Sequence, residues 1–365
     1  MKKDMIKSFC TLCLMGVVAV LPAQEMGFEE YNPVSTLVVP QNPVLRARYP
    51  VVDIHSHHYN MPTQDLSKVV RAMDTLNLAV LVNLSGGFGD FLKLSVKNVR
   101  ENYPNRFVVF ANVDFEGVGE PDWGSRAATQ LEEDVRNGAV GLKIYKSLGL
   151  RYRDTDGNRI PVDDARLDPV WEKCAELGIP VLIHSADPKS FWDPMNAQNE
   201  RWLELKTRPR RKRSATDPAP WQQIIEEQHR LFRRHSKTTF INAHMGWYAN
   251  DLDKLASLME ALPNMYVGIG AIIAELGRQP RHAREFFIKY QDRILFGKDS
   301  WQPSEFPTYF RVLETDDEYF PYHKKYHAFW AMYGLDLPDE VLKKVYYKNA
   351  LKLLPAIDRS LFPDS

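Results

Sequence analysis

Eight short apolar runs recur along the chain, and their spacing constrains the fold more than any other feature. They begin near Val51 (VVDIH), Leu78 (LAVLVNL), Phe107 (FVVFANV), Val140 (VGLKIY), Val181 (VLIHS), Thr238 (TTFINAH), Met265 (MYVGIG) and Arg293 (RILFG). Each is rich in Val, Ile or Phe and nearly continuous in apolar character, as strands buried on both faces are. The steps between starts are 27, 29, 33, 41, 57, 27 and 28 residues, the length of strand-helix-strand crossovers. The segments between carry helix signals. Leu66, Val69, Val70, Met73 and Leu76 make one stripe, Gly138 stops a helix near Asn137, and a closing helix runs from Asp339 through Val341, Leu342, Val345, Tyr346, Leu351 and Leu354. Eight such units predict an α/β fold, a (β/α)8 TIM barrel, rather than an open doubly wound sheet. Gly86-Gly87-Phe88-Gly89 lacks the spacing and lysine of a phosphate loop and reads as a plain turn.

The barrel is expected over residues 51–358, after a lead-in at 24–50. Residues 1–23 read as a signal peptide: Lys2, Lys3 and Lys7 precede an apolar run from Phe9 to Leu21, and Pro22-Ala23 offers a cleavage point. That run is shorter than the ~20 residues of a bilayer span. The expectation is therefore a periplasmic or secreted protein with no stable membrane anchor after cleavage. The whole chain has 47 basic and 47 acidic residues; without the leader there are 44 and 46. Such a balance gives no drive toward nucleic acid. Of three cysteines only Cys174 remains, which excludes an intramolecular disulfide. It lies with Val170, Trp171 and Leu177 on one face of a helix that Asp168 is expected to cap, with Pro169 in the first turn, so it reads as a core thiol.

The 57-residue step marks an insertion at about 187–221, with Phe191, Trp192, Trp202 and a basic run from Lys206 to Arg213. It reads either as a solvated loop or as a lid carrying aromatics and cations over an anionic ligand.

Active sites of this barrel class lie at the C-terminal ends of the strands, so polar residues there are the candidates. The first run ends Asp53-Ile54-His55-Ser56-His57-His58. Side chains two apart on a strand share a face, so His55 and His57 can converge on one metal ion while His58 points elsewhere. His184 ends the fifth run, His244 the sixth and Asp299 the eighth. Neutral imidazoles with a carboxylate suit a divalent ion, zinc first, with manganese, iron or nickel as alternatives.

Together Asp53-x-His55-x-His57, His184, Ala243-His244-Met245-Gly246 and Phe296-Gly297-Lys298-Asp299 resemble the amidohydrolase superfamily, over about Val51 to Leu354. The nearest branch contains aminocarboxymuconate-semialdehyde decarboxylase-like and lactonase-like enzymes, whose closing helix Tyr347-Lys348-Asn349-Ala350-Leu351 also resembles. Lys298 departs from the Ser or Thr common before the aspartate. The resemblance implies that His55, His57, His184 and Asp299 bind one ion, with Asp299 and His244 catalytic and Asp53 orienting the first histidine. Lys143, on one face with Tyr145, is either a carboxylated bridge between two ions or a cation. The implied activity is hydrolysis of a lactone, ester or amide carbonyl in a small, carboxylated or sugar-derived molecule. The alternatives are a metal-dependent decarboxylase of an aryl or unsaturated acid and a catalytically silent ligand-binding barrel. Trp247 and Trp301 either stack on substrate or pack; Glu275 and Arg278 either contact substrate or pair on the surface. The run Thr308–Tyr322, with Arg311 as an anion contact, is a candidate wall of the mouth. The partner expected is a small-molecule substrate, and a homo-oligomer suits the fold.

Overall fold

The computed structural model describes residues 26–363, so the leader segment lies outside the described residues. Residues up to Thr36 form one compact unit and Leu37–Ser365 another. In the first, Glu30 N donates to Gly27 O across a turn. The second contains eight parallel strands in consecutive order: β1 (Val51–Ser56), β2 (Leu78–Asn83), β3 (Phe107–Ala111), β4 (Ala139–Ile144), β5 (Val181–Ile183), β6 (Phe240–Asn242), β7 (Met265–Gly268) and β8 (Ile294–Leu295). Ile54 N donates to Phe296 O at 3.1 Å and Asp299 N to His55 O at 2.7 Å, which joins the last strand to the first. The architecture is a (β/α)8 barrel. Among the described residues no helix is long and apolar enough to cross a membrane.

The strands lie where the apolar runs place them. All six residues of β1 are buried, as expected when side chains meet the barrel interior on one face and helices on the other. Helix Ser67–Leu76 buries Val69, Val70, Met73 and Leu76, and Gly138 follows helix Trp123–Arg136 at φ 112°, where a side chain would be strained. The closing helix contains a π turn over Lys344–Lys348, whose Val345 carbonyl accepts from Phe296 N at 2.9 Å and so ties the helix to the β8 end.

One local expectation is corrected. Asp168 is the first residue of its helix rather than its cap, and its carboxylate accepts from Arg234 at 2.6 Å and His235 at 2.9 Å. With its carboxylate turned to these two donors, no side chain caps the helix start. The insertion alternates exposed stretches at 194–198, 206–210 and 214–217 with buried anchors. Phe191, Trp192, Leu203 and Leu205 are buried; Arg211 pairs with Glu204, Arg213 with Asp187, and the Arg208 guanidinium lies 4.9 Å from the Tyr326 ring. Cys174 is fully buried and burial raises its thiol pKa, consistent with a core role.

Candidate metal centre

His55, His57 and Asp299 offer ligand atoms that all lie within 4.8 Å of one another. His55 Nε2 is 3.5 Å and His57 Nε2 3.6 Å from Asp299 Oδ1. These separations are long for hydrogen bonds. They match two ligands on one tetrahedral ion, which at bond lengths of about 2.0–2.2 Å stand roughly 3.3–3.6 Å apart. His55 is wholly buried, and both of its ring nitrogens lack a hydrogen-bond partner. Leaving such a group unsatisfied is costly; a cation answers it, so the donor set fits a divalent ion.

The backbone makes room for this ring. A Cβ on Gly270 would sit 3.1 Å from His55 Nδ1, and one on Gly297 2.9 Å from His55 Cβ. Asp53 Oδ1 accepts from His55 N at 2.9 Å and Lys298 N at 3.1 Å, clasping the β1 and β8 ends from below. Burial nevertheless pushes the Asp53 carboxyl up to about 7.

Hydrogen-bond chains fix the tautomers of two more imidazoles. Gly270 O can only accept, so His244 Nδ1 carries the proton in their 2.7 Å contact. With His244 neutral, its Nε2 accepts from His184 Nδ1 at 3.2 Å, and His184 Nε2 is left as a buried lone pair. On the other side Tyr145 OH donates to Leu84 O at 3.1 Å, Ser85 Oγ to Tyr145 OH at 2.9 Å, and His57 Nδ1 to Ser85 Oγ at 2.8 Å. His57 Nε2 is then a lone pair facing Asp299. Ring-bound outer partners of this kind orient metal-binding histidines. His184 stands apart from the tight trio but in contact with it through His244, whose ring centroid is 4.2 Å from His184 and 5.1 Å from His55.

Burial, and secondarily Lys143, holds the His57 pKa down at about 4; burial holds His244 at about 4 and His55 and His184 well below the ordinary value. Burial opposes ionisation of Asp299, but His244, His57 and Lys143 outweigh it and keep the carboxyl below its usual range. Lys143 is fully buried with no partner on Nζ, and burial brings its pKa to about 7.

Residues His244, Met245, Gly246 and Trp247 have φ of 57°, 51°, 60° and 63°, a left-handed turn. Each non-glycine residue there costs roughly 1–2 kcal/mol, strain of a kind concentrated at functional sites. It aims His244 at Gly270 and lays the Trp247 ring on the His244 ring, with centroids 4.5 Å apart; Trp247 Nε1 donates to Ser185 O at 3.0 Å. Beyond Trp247 opens a polar cleft of about 270 Å³ lined by Lys189, Asp193, Arg201, Asn250 and Glu275 among others.

Other candidates are placed elsewhere. Trp301 packs between His58 and Phe306. Arg278 pairs with Glu200 at 3.0 Å and covers the Trp330 ring at 3.9 Å; Glu275 pairs with Arg201. Arg311 is held by Asp317 at 2.6 Å and Gln41, so it is no anion contact, and Thr308–Glu314 is helix that buries Tyr309, Phe310, Val312 and Leu313 in the core. Lys298 is buried, with Nζ donating to Ser300 O at 2.7 Å. Ser85 and Gly270 were not singled out from sequence; Ser85, two residues past Asn83 at a strand end, satisfies the same placement rule that found the histidines.

An amidohydrolase family model matches residues 43–356. A search of curated proteins gives no match. Similar solved structures include a dihydroxybenzoic acid decarboxylase from a Polaromonas species, with bound manganese and the inhibitor 2-nitroresorcinol (15% identity, 86% of this chain and 99% of that one, TM-score 0.54). A 2,6-dihydroxybenzoate decarboxylase in complex with 2,6-dihydroxybenzoate has 14% identity, 84% and 99% coverage and a TM-score of 0.52. An uncharacterized TIM-barrel protein from Bordetella bronchiseptica has 16% identity, the same coverages and a TM-score of 0.52. These likenesses show the shared fold.

Proposed function

The chain belongs to the amidohydrolase family of metal-dependent TIM-barrel enzymes, and from that premise we propose that it is an exported hydrolase of a small lactone, ester or amide. The observation that carries the metal site is His55, buried with both ring nitrogens orphaned and its Nε2 3.5 Å from Asp299 Oδ1. His55 and His57 through Nε2, His184 through Nε2 and Asp299 would hold one divalent ion, zinc first by donor type. Bound there, a divalent ion supplies positive charge that acidifies water and polarises a carbonyl.

The chain's own groups supply the rest. Asp299, ionised and beside the reacting position, accepts a proton from water and returns it to the leaving group. His244 is held neutral, with Nδ1 committed to Gly270 O. Its Nε2, which accepts from His184, is a lone pair that can accept a proton from water or a substrate hydroxyl. Trp247 keeps water from the outer face of that ring. Lys143 offers an amine that switches charge near neutrality and can face a substrate anion.

Two of the similar structures are decarboxylases, which keeps decarboxylation of an aryl acid as the second reading. The test is a metal-loaded preparation assayed on lactone, ester and amide panels and, for CO2 release, on hydroxybenzoates. Hydrolysis that Asp299→Asn lowers at least 100-fold, with the fold retained, is expected. CO2 release without hydrolysis reverses the assignment, and near-wild-type turnover by the variant refutes the role of Asp299.

A further inference from the structure

The polar cleft beyond Trp247 is a second ligand space beside the histidine cluster. Its walls come from segments that follow three adjacent strands: 188–201 after β5, 247–250 after β6 and 272–275 after β7. It therefore opens on the C-terminal face of the barrel, where the metal centre also lies. Trp247 belongs to both: its ring stacks on the His244 ring and lines the cleft. The cleft volume of about 270 Å³ falls below the roughly 300–1,000 Å³ of a whole small-molecule site. It suits one part of a ligand whose reacting part lies at the histidines.

The charges of the cleft are matched. Asp193 takes Lys189 at 2.6 Å, Glu200 takes Arg278 at 3.0 Å, and Glu275 takes Arg201. Arg201 also holds Glu204 at 2.7 Å, whose other oxygen takes Arg211. An unmatched charge would draw an ion of the opposite sign; among the lining residues every charge has its partner. One acceptor is left over. Glu275 is 7% exposed, and its Oε2 has no hydrogen-bond partner, while Oε1 is occupied by Arg201. A buried carboxylate oxygen without a donor is costly, and a ligand hydroxyl is an uncharged group that supplies one. Trp247 gives the same cleft an aromatic wall. A polyhydroxylated group suits both, since its C–H face can lie on an indole while its hydroxyl edge donates.

We infer that the cleft is a subsite for an uncharged polyhydroxylated ring or chain, which lies on Trp247 and donates a hydroxyl to Glu275 Oε2. This rests on the small-molecule reading above and narrows its substrate class to molecules that carry such a group. A hydrogen bond to a charged acceptor is worth roughly ten-fold or more in affinity, so Glu275 is a specificity residue of the subsite.

The test is a ligand-observed NMR titration of the full chain, chelated so that no hydroxyl can bind a metal. The probes are myo-inositol and methyl β-glucopyranoside, set against cyclohexanol, cyclohexylammonium and cyclohexanecarboxylate as ring-sized controls. At least one of the two polyols is expected to bind about five-fold or more tightly than each control. Glu275→Gln keeps an oxygen for Arg201 and puts an NH2 group in place of Oε2, and it should lower that affinity at least about five-fold. Trp247→Ala should do the same. Arg210→Gln, at an exposed position of the insertion, leaves it unchanged. Melting curves confirm that the variants fold, and if one does not, the other decides. Absence of polyol binding, a smaller preference over any control, or a smaller loss in a folded Glu275→Gln or Trp247→Ala protein overturns the inference. If the polyol binds as expected but no lactone, ester or amide is hydrolysed, only the hydrolase assignment falls; hydrolysis without polyol binding removes the subsite alone.

Discussion

The metal-free protein should lose stability steeply on mild acidification, because its centre holds imidazoles neutral. His57 and His244 have pKa values of about 4 in the folded chain against an ordinary 6.5, with burial as the first cause, and burial also holds His55 and His184 well below 6.5. A histidine with a depressed folded pKa binds its proton only after unfolding. Its contribution is therefore fully present above about pH 6.5 and is lost as the pH falls toward 4. Each such group costs up to about 1.4 kcal/mol per pH unit in that window, or about 2 kcal/mol between pH 6.5 and 5. Asp53 acts oppositely. Its raised pKa of about 7 means that the folded state takes up a proton first, so it offsets roughly one imidazole. His57 and His244 together lose about 4 kcal/mol, of which Asp53 returns about 2, and His55 and His184 add to the loss in the same direction. Urea denaturation of chelated protein at half-unit pH steps from 7.5 to 5 measures it. His244→Asn, which keeps a donor for Gly270 O, should make the slope shallower by about 1.4 kcal/mol per pH unit. A flat profile, or a slope unchanged in the variant, refutes the claim that these rings are buried neutral.

Three further outcomes are expected. Ser85→Ala removes the acceptor that fixes the His57 tautomer and should weaken metal affinity about 10- to 100-fold, read by competition with a chromophoric chelator; unchanged affinity would show that the Ser85–Tyr145 chain is idle. Gly270→Ala places a Cβ 3.1 Å from His55 Nδ1 and 3.6 Å from Asp299 Cβ, so turnover should fall at least ten-fold while the melting temperature drops only a few degrees; intact turnover would mean that the ring moves aside freely. Export predicts an N-terminus at Gln24 on protein recovered from outside the cytoplasm, and mass spectrometry showing an intact leader there would count against it.

The barrel was legible because its strands are buried on both faces, which makes each a short continuous apolar run, and because consecutive order requires only even spacing. The ligand positions were legible for a related reason. In a run of Val, Ile and Leu a histidine or aspartate stands out, and the C-terminal strand end is where a barrel exposes it. What stayed hidden depends on contacts between distant segments. The sequence Ala243-His244-Met245-Gly246-Trp247 contains one glycine, yet four consecutive residues are left-handed. Nothing local favours this; it is held by Gly270 O on one side and Ser185 O on the other, 26 and 62 residues away. The basic run misled in the complementary way. Its cations look unpaired in sequence, yet Asp187 and Glu204 of the same insertion fold back to pair with Arg213 and Arg211, and Tyr326 comes from a distant segment to meet Arg208. The same logic applies to His184. As a strand-end residue it is one candidate among several. Only the Gly270–His244–His184 chain, which consumes Nδ1 and leaves Nε2 bare, shows which of its nitrogens is available to an ion.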